Sequence, residues 1–244
     1  MCNMKTKINE IRNALGQPQY FKGLQIHPIT IEYVNEFYYA IECLTIRKNR
    51  LTDFKKIKMS YLEYLLTEIY IEGNKDLENR FKVMLALILK TDMSLNYKID
   101  GGNTSILLNG IEIRANHFED LRKMIFAQNG YYFDEHLSPD IEKAMSKVDS
   151  YHSSQTNSKS ASYPRKIIKY HIATGLSYEE ISKLTLFQFK AGLDEYNLLS
   201  ECNSYSIQVT KGKGAKLRHW LEDIPDEIDY SQYFTNAGKT VNKL

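Results

Sequence analysis

Apolar residues recur with helical spacing through most of the N-terminal half of the chain. One helix is predicted to begin with Ser60-Tyr61-Leu62-Glu63, a capping box in which the serine hydroxyl and the glutamate carboxylate bond free amides of the first turn. Thr30 and Asn116 are predicted to cap two others. The spacing predicts amphipathic helices from Thr30 to about Leu44, Ser60 to about Ile71, Lys75 to Lys90 and His117 to Gln128.

The pattern then changes to the alternation that is typical of strands. Residues 95–99 alternate between apolar and polar, residues 105–108 return, and Ile111-Glu112-Ile113 completes a predicted three-stranded meander. Asn109-Gly110 is the strongest hairpin signal in the chain, because both residues tolerate positive φ. A smaller hairpin or extended edge is predicted at Tyr20–Ile26.

Residues 150–162 contain six serines, with one threonine, one asparagine and one glutamine, and no leucine, isoleucine or valine. Such a stretch has too few apolar side chains to bury to offset the entropic cost of ordering it, so it is predicted to be a linker. A short helix from Ser138 to about Val148 is predicted to precede it. The whole pattern predicts a mostly helical α+β protein. Its predicted parts are an N-terminal helical domain with a small antiparallel β-meander (1–137), a short helix and polar linker (138–162), a C-terminal three-helix unit (163–221) and a tail (222–244).

The segment Pro164–Leu199 predicts three short helices whose starts lie close together. Ser177-Tyr178-Glu179-Glu180 and Thr185-Leu186-Phe187-Gln188 are two further capping boxes, eight residues apart. Starts this close predict a tight helix-turn-helix, a shape that serves either to bind DNA or to pack against protein. The following segment, Cys202–Lys216, is predicted to be extended.

The residues of the candidate recognition helix, Thr185–Ser200, favour protein over DNA. Phosphates repel Asp194 and Glu195. Base readout favours Arg, Asn, Gln and Ser at the front of the helix, where this chain has Leu186, Phe187 and Phe189 around Gln188. The helix also carries an apolar stripe at helical spacing, formed by Leu186, Phe189, Leu193 and Tyr196. We therefore expect a protein-contacting surface, with a helix-turn-helix DNA-binding regulator as the alternative.

Composition narrows the class of protein further. The net charge of +2 implies neither nucleic acid nor an acidic membrane. The three cysteines are far apart in the sequence, and no two of them form a CxxC motif. This argues against a disulfide scaffold and fits a reducing cytoplasm. The first residues contain no apolar core, and the longest apolar run, Val83–Leu89, is too short to span a bilayer. We therefore expect a soluble intracellular protein.

The 18 tyrosines leave two interpretations open. Tyrosine combines an apolar ring with a polar tip and is enriched on surfaces that become buried in an assembly. Alternatively, the surplus reflects the codon bias of an AT-rich genome, since lysine, asparagine and isoleucine are abundant as well.

No set of residues predicts a reaction. Lys211–Lys216 lacks the spacing and the hydroxyl of a phosphate-binding loop, and Ser177 lacks the glycine-flanked turn of a nucleophile. A candidate metal set has no pair of ligands at helical spacing and is better explained by charges at a helix start. We therefore expect no enzymatic activity, no cofactor and no metal. The candidate metal set is His117, Glu119, Asp120, Asp134 and His136.

Several stretches, in this order, resemble tail proteins of large tailed bacteriophages that infect Gram-positive hosts. The stretches are Met59–Leu66, Phe118–Ile125 with Gln128–Gly130, Ala173–Ile181, Leu184-Thr185 with Phe189, and His219-Trp220. The opening Ile26-His27-Pro28-Ile29 is similar to that of baseplate hub and assembly proteins of T-even-type phages. The chain departs from the pattern between Glu195 and Val209, where a longer aromatic and basic helix is expected.

The resemblance implies a non-enzymatic tail or baseplate component, or a chaperone of its assembly. It would contact tail or baseplate proteins, or a second copy of itself, and would act in the host cytoplasm during assembly or in the virion tail. No membrane contact is expected. Because aromatic residues dominate the energetics of protein interfaces, the expected anchors are aromatic. They are Tyr178, Phe187, Tyr196 and Trp220, of which Trp220 is equally well explained as part of a small core.

Overall fold

The computed structural model describes residues 8–91, 96–133 and 162–209. They form the predicted mostly helical α+β fold, with small antiparallel sheets in the N-terminal region and three helices in the C-terminal region. The elements are α1 (Glu10–Ala14), β1 (Gln19–Phe21), β2 (Leu24–Ile26), α2 (Val34–Ile41), α3 (Phe54–Lys58), α4 (Tyr61–Leu66), α5 (Lys75–Leu89), β3 (Asn96–Lys98), β4 (Ser105–Leu108), β5 (Ile111–Arg114), α6 (Ala115–Gln128), α7 (Tyr163–Thr174), α8 (Tyr178–Lys183) and α9 (Leu186–Val209).

Both predicted β features are confirmed. Strands β1 and β2 form an antiparallel hairpin, and β3, β4 and β5 form an antiparallel sheet in chain order. At the tip of the second hairpin, Asn109 and Gly110 have φ of 46° and 78°. Both central residues therefore adopt the left-handed conformation that a tight hairpin turn requires.

The helices of the N-terminal half follow the prediction, with differences at their ends. The capping box of Ser60 and Glu63 is present at the start of α4. The predicted Thr30 cap is wrong: Thr30 makes no side-chain cap bond, and its hydroxyl donates to the carboxylate of Glu32. The predicted Asn116 cap is wrong: α6 begins directly after β5, and the N-cap residue, Arg114, makes no side-chain cap.

Two of the predicted helices contain turns of a different type. A 3-10 turn, Ile31–Tyr33, precedes α2, and a second one, Glu42–Leu44, follows it. A π-helical turn, Thr67–Ile71, continues α4.

The core of the N-terminal half lies where α2 packs against α5 and α4 packs against α6. The phenol of Tyr61 is buried there and donates a hydrogen bond to the carbonyl of Cys43, at 2.9 Å, while it accepts one from the amide of Ile46, at 3.0 Å. The guanidinium of Arg122 lies 3.8 Å from the centroid of the Tyr61 ring. The buried hydroxyl of Tyr61 thus has both an acceptor and a donor as partners, as burial demands.

Contacts divide the chain into two compact units. The first contains Met1–His136 and Lys166–Leu193, and the second contains Leu137–Arg165 and Asp194–Leu244. Residues 166–174 of α7, helix α8 and the start of α9 thus share a unit with the N-terminal body, whereas residues 163–165 of α7 belong to the second unit. The predicted short helix and the predicted linker fall almost entirely on residues 138–161, outside the described residues, so the predicted domain boundaries stay a prediction.

The last helix is longer than the sequence indicated. Helix α9 continues to Val209, so the predicted extended conformation is wrong from Cys202 to Val209. The residues after Val209 lie outside the described part of the chain.

Candidate protein-contact surface

Backbone hydrogen bonds attach the α8–α9 junction to the N-terminal body within the first unit. The amide of Leu186 donates to the carbonyl of Ile29 at 2.8 Å, and the amide of Ile31 donates to the carbonyl of Leu184 at 2.9 Å. These bonds frame a short antiparallel bridge between the two segments. The start of α9 is therefore fixed by main-chain contacts in addition to side-chain packing.

Gln188 has two roles at this junction. The predicted capping box is present: the Thr185 amide donates to Gln188 Oε1 at 3.0 Å, and the Gln188 amide donates to Thr185 Oγ1 at 3.1 Å. The Nε2 of the same glutamine donates to the carbonyl of Ala14, at 2.9 Å. A Cβ at Gly16 would lie only 3.0 Å from Gln188 Oε1, and Gly16 has φ +67°, so glycine is required here for two reasons.

Three of the four residues in the predicted apolar stripe of α9 are buried: Leu186, Phe189 and Leu193. The fourth, Tyr196, is half-exposed. Next to the stripe, Lys190 donates a hydrogen bond to the carbonyl of Gly130 at 3.3 Å. A recognition helix must present its first turns to the DNA groove. In this protein the corresponding turns of α9 contact the protein's own first unit.

Tyr170 of α7 packs against α9. The ring of Tyr170 lies 5.0 Å from the ring of Phe189, centroid to centroid. Opposite it, a Cβ at Gly192 would collide with Tyr170 Oη. The glycine thus permits the close approach of the two helices at this point.

The opposite side of α7 is exposed and apolar. Ile168 is 48% exposed and Ile172 is 76% exposed, and they lie four residues apart, on the side of the helix turned away from Tyr170. Lys169 lies between them along the chain and is exposed as well. Two large aliphatic side chains in contact with water, one turn apart, are a feature of surfaces that bind protein.

Tyr178 is held next to α7 by a ring stack. It is 53% exposed, and its ring lies 4.6 Å from that of His171, centroid to centroid, at an interplanar angle of 27°. The Nδ1 of His171 donates to the carbonyl of Leu176 at 2.6 Å, which orients the imidazole. We call Ile168, Lys169, Ile172 and Tyr178 the α7 surface.

The start of α8 gives Tyr178 a fixed backbone. Ser177 and Glu180 form the predicted capping box, with the Glu180 amide donating to Ser177 Oγ at 3.2 Å. In return, the hydroxyl and the amide of Ser177 both donate to the carboxylate of Glu180, and they lower the pKa of that carboxyl. The serine is therefore explained by its role as a cap.

The four predicted anchors have different surroundings. Tyr178 belongs to the α7 surface, whereas Phe187 is half-buried, with a ring carbon 3.8 Å from where a Cβ of Gly130 would lie. Tyr196 is half-exposed and belongs to the second unit, and Trp220 lies outside the described residues. Ile168 and Ile172 were not predicted as contact residues. Their spacing of four residues, with Tyr170 on the opposite side of a helix, is present in the sequence, but the spacing alone does not show which side is exposed.

Among the described residues, no group of three or more His, Cys, Asp or Glu side chains could hold a metal ion. Of the candidate metal set, Glu119 pairs with Arg122 at 3.2 Å, and Asp134 and His136 lie outside the described residues.

Burial raises the pKa of the Cys43 thiol and of the Tyr61 phenol, and both groups lie in the core. None of the helices in the described part of the chain has the length and apolar character to cross a membrane.

Comparison with known proteins gives one match. Residues 154–225 match the family described as the YomV second domain. The match covers less than a third of the 244 residues, and within it the structure describes residues 162–209, which contain α7, α8 and α9. No curated protein and no solved structure matches the chain. The family match suggests that the chain is a phage protein.

Proposed function

We propose that the chain is a non-enzymatic component of a phage tail or baseplate, or a chaperone of its assembly, that acts by contacting other proteins. It would act in the host cytoplasm during assembly, with the virion tail as the alternative final location. No cofactor takes part in this role. The observation that carries the proposal is the α7 surface, which lies within the stretch that matches a phage-associated family.

The geometry of the α7 surface supports a role in binding. Its aliphatic side chains lie on a helix that is fixed to α9 through Tyr170 and Gly192, and α9 is fixed to the N-terminal body by backbone hydrogen bonds. A preorganised surface loses little conformational entropy on binding. Exposed Ile172 and Tyr178 would then supply the buried contacts that give most of the binding energy in protein interfaces.

The same features argue against the DNA-binding alternative. The turns that would enter a groove are in contact with Ala14 and Gly130 of the N-terminal body. The exposed isoleucines of α7 would gain nothing from phosphates, whose recognition depends on positive charge. Protein is therefore the partner class that the exposed residues fit best.

A particle assay tests the proposal. The gene is deleted from the phage, and the wild-type chain, Ile172→Glu or Ile71→Glu is supplied in trans. Ile71 is the matched control, because it is 65% exposed and lies on the π-helical turn after α4. We expect incomplete tails in the deletion, rescue by the wild type and Ile71→Glu, and impaired rescue by Ile172→Glu.

Analysis of the same cultures can also contradict the proposed function. Tails and tail intermediates are separated by density centrifugation and examined by electron microscopy and mass spectrometry. If particles made without the gene have complete, infectious tails, and the chain sediments with DNA, the proposal is wrong and the regulator is favoured.

A further inference from the structure

The large apolar residues of helix α1 and its C-cap face solvent. Ile11 and Leu15 lie four residues apart, on one side of the helix, and are 73% and 62% exposed. The one buried residue of α1 is Asn13, and neither amide atom of its side chain has a hydrogen-bond partner among the described residues. Burial of aliphatic side chains normally holds an amphipathic helix to the body of a protein. Helix α1 lacks that source of attachment.

Two glutamines hold the ends of α1 instead. The Nε2 of Gln19 donates to the carbonyl of Asn9 at 3.0 Å, and the Oε1 of Gln19 accepts the Asn9 amide, also at 3.0 Å. At the other end, Gln188 Nε2 donates to the carbonyl of Ala14. Each such bond contributes only modestly to the net stability, because water replaces it when the contact opens.

A further contact of α1 lies near the surface. The guanidinium of Arg12 lies 4.9 Å from the centroid of the Tyr20 ring, and Tyr20 is itself 57% exposed. A cation–π pair at an exposed site is weak, because both partners are well solvated when they separate. The attachment of α1 therefore depends mainly on the side-chain amides of Gln19 and Gln188.

We propose that residues 9–17, which we call the α1 strap, open together while the rest of the first unit stays folded. The closed strap occupies the side-chain amides of Gln19 and Gln188, and the open strap releases both. Because Gln188 also caps α9, opening changes the surroundings of the start of that helix. The strap is therefore a conformational device of the first unit, and this inference does not depend on the proposed function.

Native-state hydrogen exchange of the ¹⁵N-labelled full-length chain tests the opening. Its probes are amides that donate to carbonyls within the strap, namely those of Leu15, Gly16 and Gln17. Their exchange should be faster than that of the amides in the middle of α5. It should also depend only weakly on added denaturant, because a local opening exposes little surface.

Variants of the two glutamines test the cause of the weak attachment. Gln188→Glu keeps the oxygen that caps α9 but loses the donor to Ala14. Gln19→Met keeps the length of the side chain and loses both bonds to Asn9. Each variant should speed the exchange of the three probe amides at least about threefold, which is the effect of losing one neutral hydrogen bond.

Ile11→Ala and Leu15→Ala are the matched controls. Both shorten an aliphatic side chain of the same strap, but these side chains are exposed and hold nothing. The exchange rates should therefore change less than about twofold, as for ordinary surface substitutions. Circular dichroism checks that each variant is folded, and Gln188→Glu alone provides the test if the buried Gln19 does not tolerate methionine.

Three results would overturn the inference. The first is exchange of the probe amides with the same denaturant dependence as α5, which would mean that α1 opens only when the whole protein unfolds. The second is unchanged exchange in the folded glutamine variants. The third is a larger effect of Ile11→Ala or Leu15→Ala than of Gln188→Glu, which would mean that aliphatic contacts hold the helix.

Discussion

The side chain of Gln188 donates a hydrogen bond from Nε2 to the carbonyl of Ala14, at 2.9 Å, across 174 residues of sequence. Its other amide atom, Oε1, simultaneously accepts the amide of Thr185 and so caps α9. One side chain thus connects the end of α1 to the start of α9, which orients the C-terminal helices of the first unit relative to the N-terminal residues.

Substitution of Gln188 should separate these two roles. Gln188→Ala removes both bonds and should lower the free energy of unfolding by about 1–2 kcal/mol, the usual cost of a lost cap and a lost hydrogen bond. Gln188→Glu keeps the acceptor for the Thr185 amide but loses the donor to Ala14, so a smaller loss is expected.

Urea denaturation measures both variants of Gln188. Gln25→Ala is the matched control, because Gln25 is exposed on β2, and its free energy of unfolding should stay close to that of the wild type. Equal losses for Gln188→Ala and Gln188→Glu would mean that the bond to Ala14 accounts for the whole effect.

Gly192 should be intolerant of alanine despite its helical position. Alanine normally stabilises a helix by up to about 1 kcal/mol relative to glycine. In this helix the added Cβ would collide with Tyr170 Oη, so Gly192→Ala should instead destabilise the protein by about 1–3 kcal/mol. Thermal unfolding followed by circular dichroism measures the change.

Substitution of Tyr170 tests whether a collision with its hydroxyl causes the loss of stability in Gly192→Ala. Tyr170→Phe removes the hydroxyl that the new methyl group would meet, although ring carbons 3.0 and 3.1 Å from the Cβ position remain. The double variant should therefore recover part of the loss relative to Gly192→Ala alone. A loss that is simply additive would place the strain elsewhere.

Local sequence signals predicted the elements well wherever the physical cause is local. The capping boxes of Ser60, Ser177 and Thr185 and the turn at Asn109-Gly110 depend on residues within four positions of each other, and all are present. Thr30 is an exception. It was predicted to cap an α-helix, but the residues that follow it form a 3-10 turn, and its hydroxyl donates to the carboxylate of Glu32.

The candidate surface was only partly predictable. The apolar stripe of α9 was identified, but periodicity shows which side of a helix is apolar and not what covers it. In the structure Leu186 and Phe189 are covered by the chain itself. The exposed side of α7 became visible only once Tyr170 was placed against Phe189, a contact between helices whose approach depends on Gly192.

Asn129 shows how a tertiary contact changes the meaning of a local signal. Asn129 follows the last residue of α6, a position where asparagine often adopts the left-handed conformation, yet its φ is −103°. Its buried side chain instead accepts the amide of Ile29 at 2.9 Å and donates to the carbonyl of Ile125 at 2.8 Å. It therefore ties the end of α6 to the segment that carries the bridge to α9.

Asn129→Ala should consequently be costly. It leaves a buried amide and a buried carbonyl without these partners, which should lower the free energy of unfolding by about 2–4 kcal/mol. Asn129→Asp keeps the acceptor for Ile29 but sets a carboxylate against the carbonyl of Ile125, so it should not rescue the loss. Guanidinium denaturation measures both, and a change within about 0.5 kcal/mol, as for ordinary surface substitutions, would contradict the assigned role.

The cap at the start of α8 should make stability depend on pH. Hydrogen bonds from the hydroxyl and the amide of Ser177 lower the pKa of Glu180 below its ordinary value of 4.5. A carboxyl whose pKa is lower in the folded state stabilises the fold above the unfolded-state pKa, and this contribution is lost as the pH falls through the folded-state value. The stabilisation should therefore be complete above pH 4.5 and disappear below it.

Glu180→Gln isolates this contribution from those of other carboxyls. The amide has no charge to lose, so the difference in free energy of unfolding between wild type and variant should be constant above pH 4.5 and shrink as the solution is acidified further. Urea denaturation over a pH series measures the difference, and Glu179→Gln, next to it but outside the capping box, is the control. A difference that persists unchanged at acidic pH would show that the carboxylate charge does not stabilise the start of α8 or the backbone that holds Tyr178.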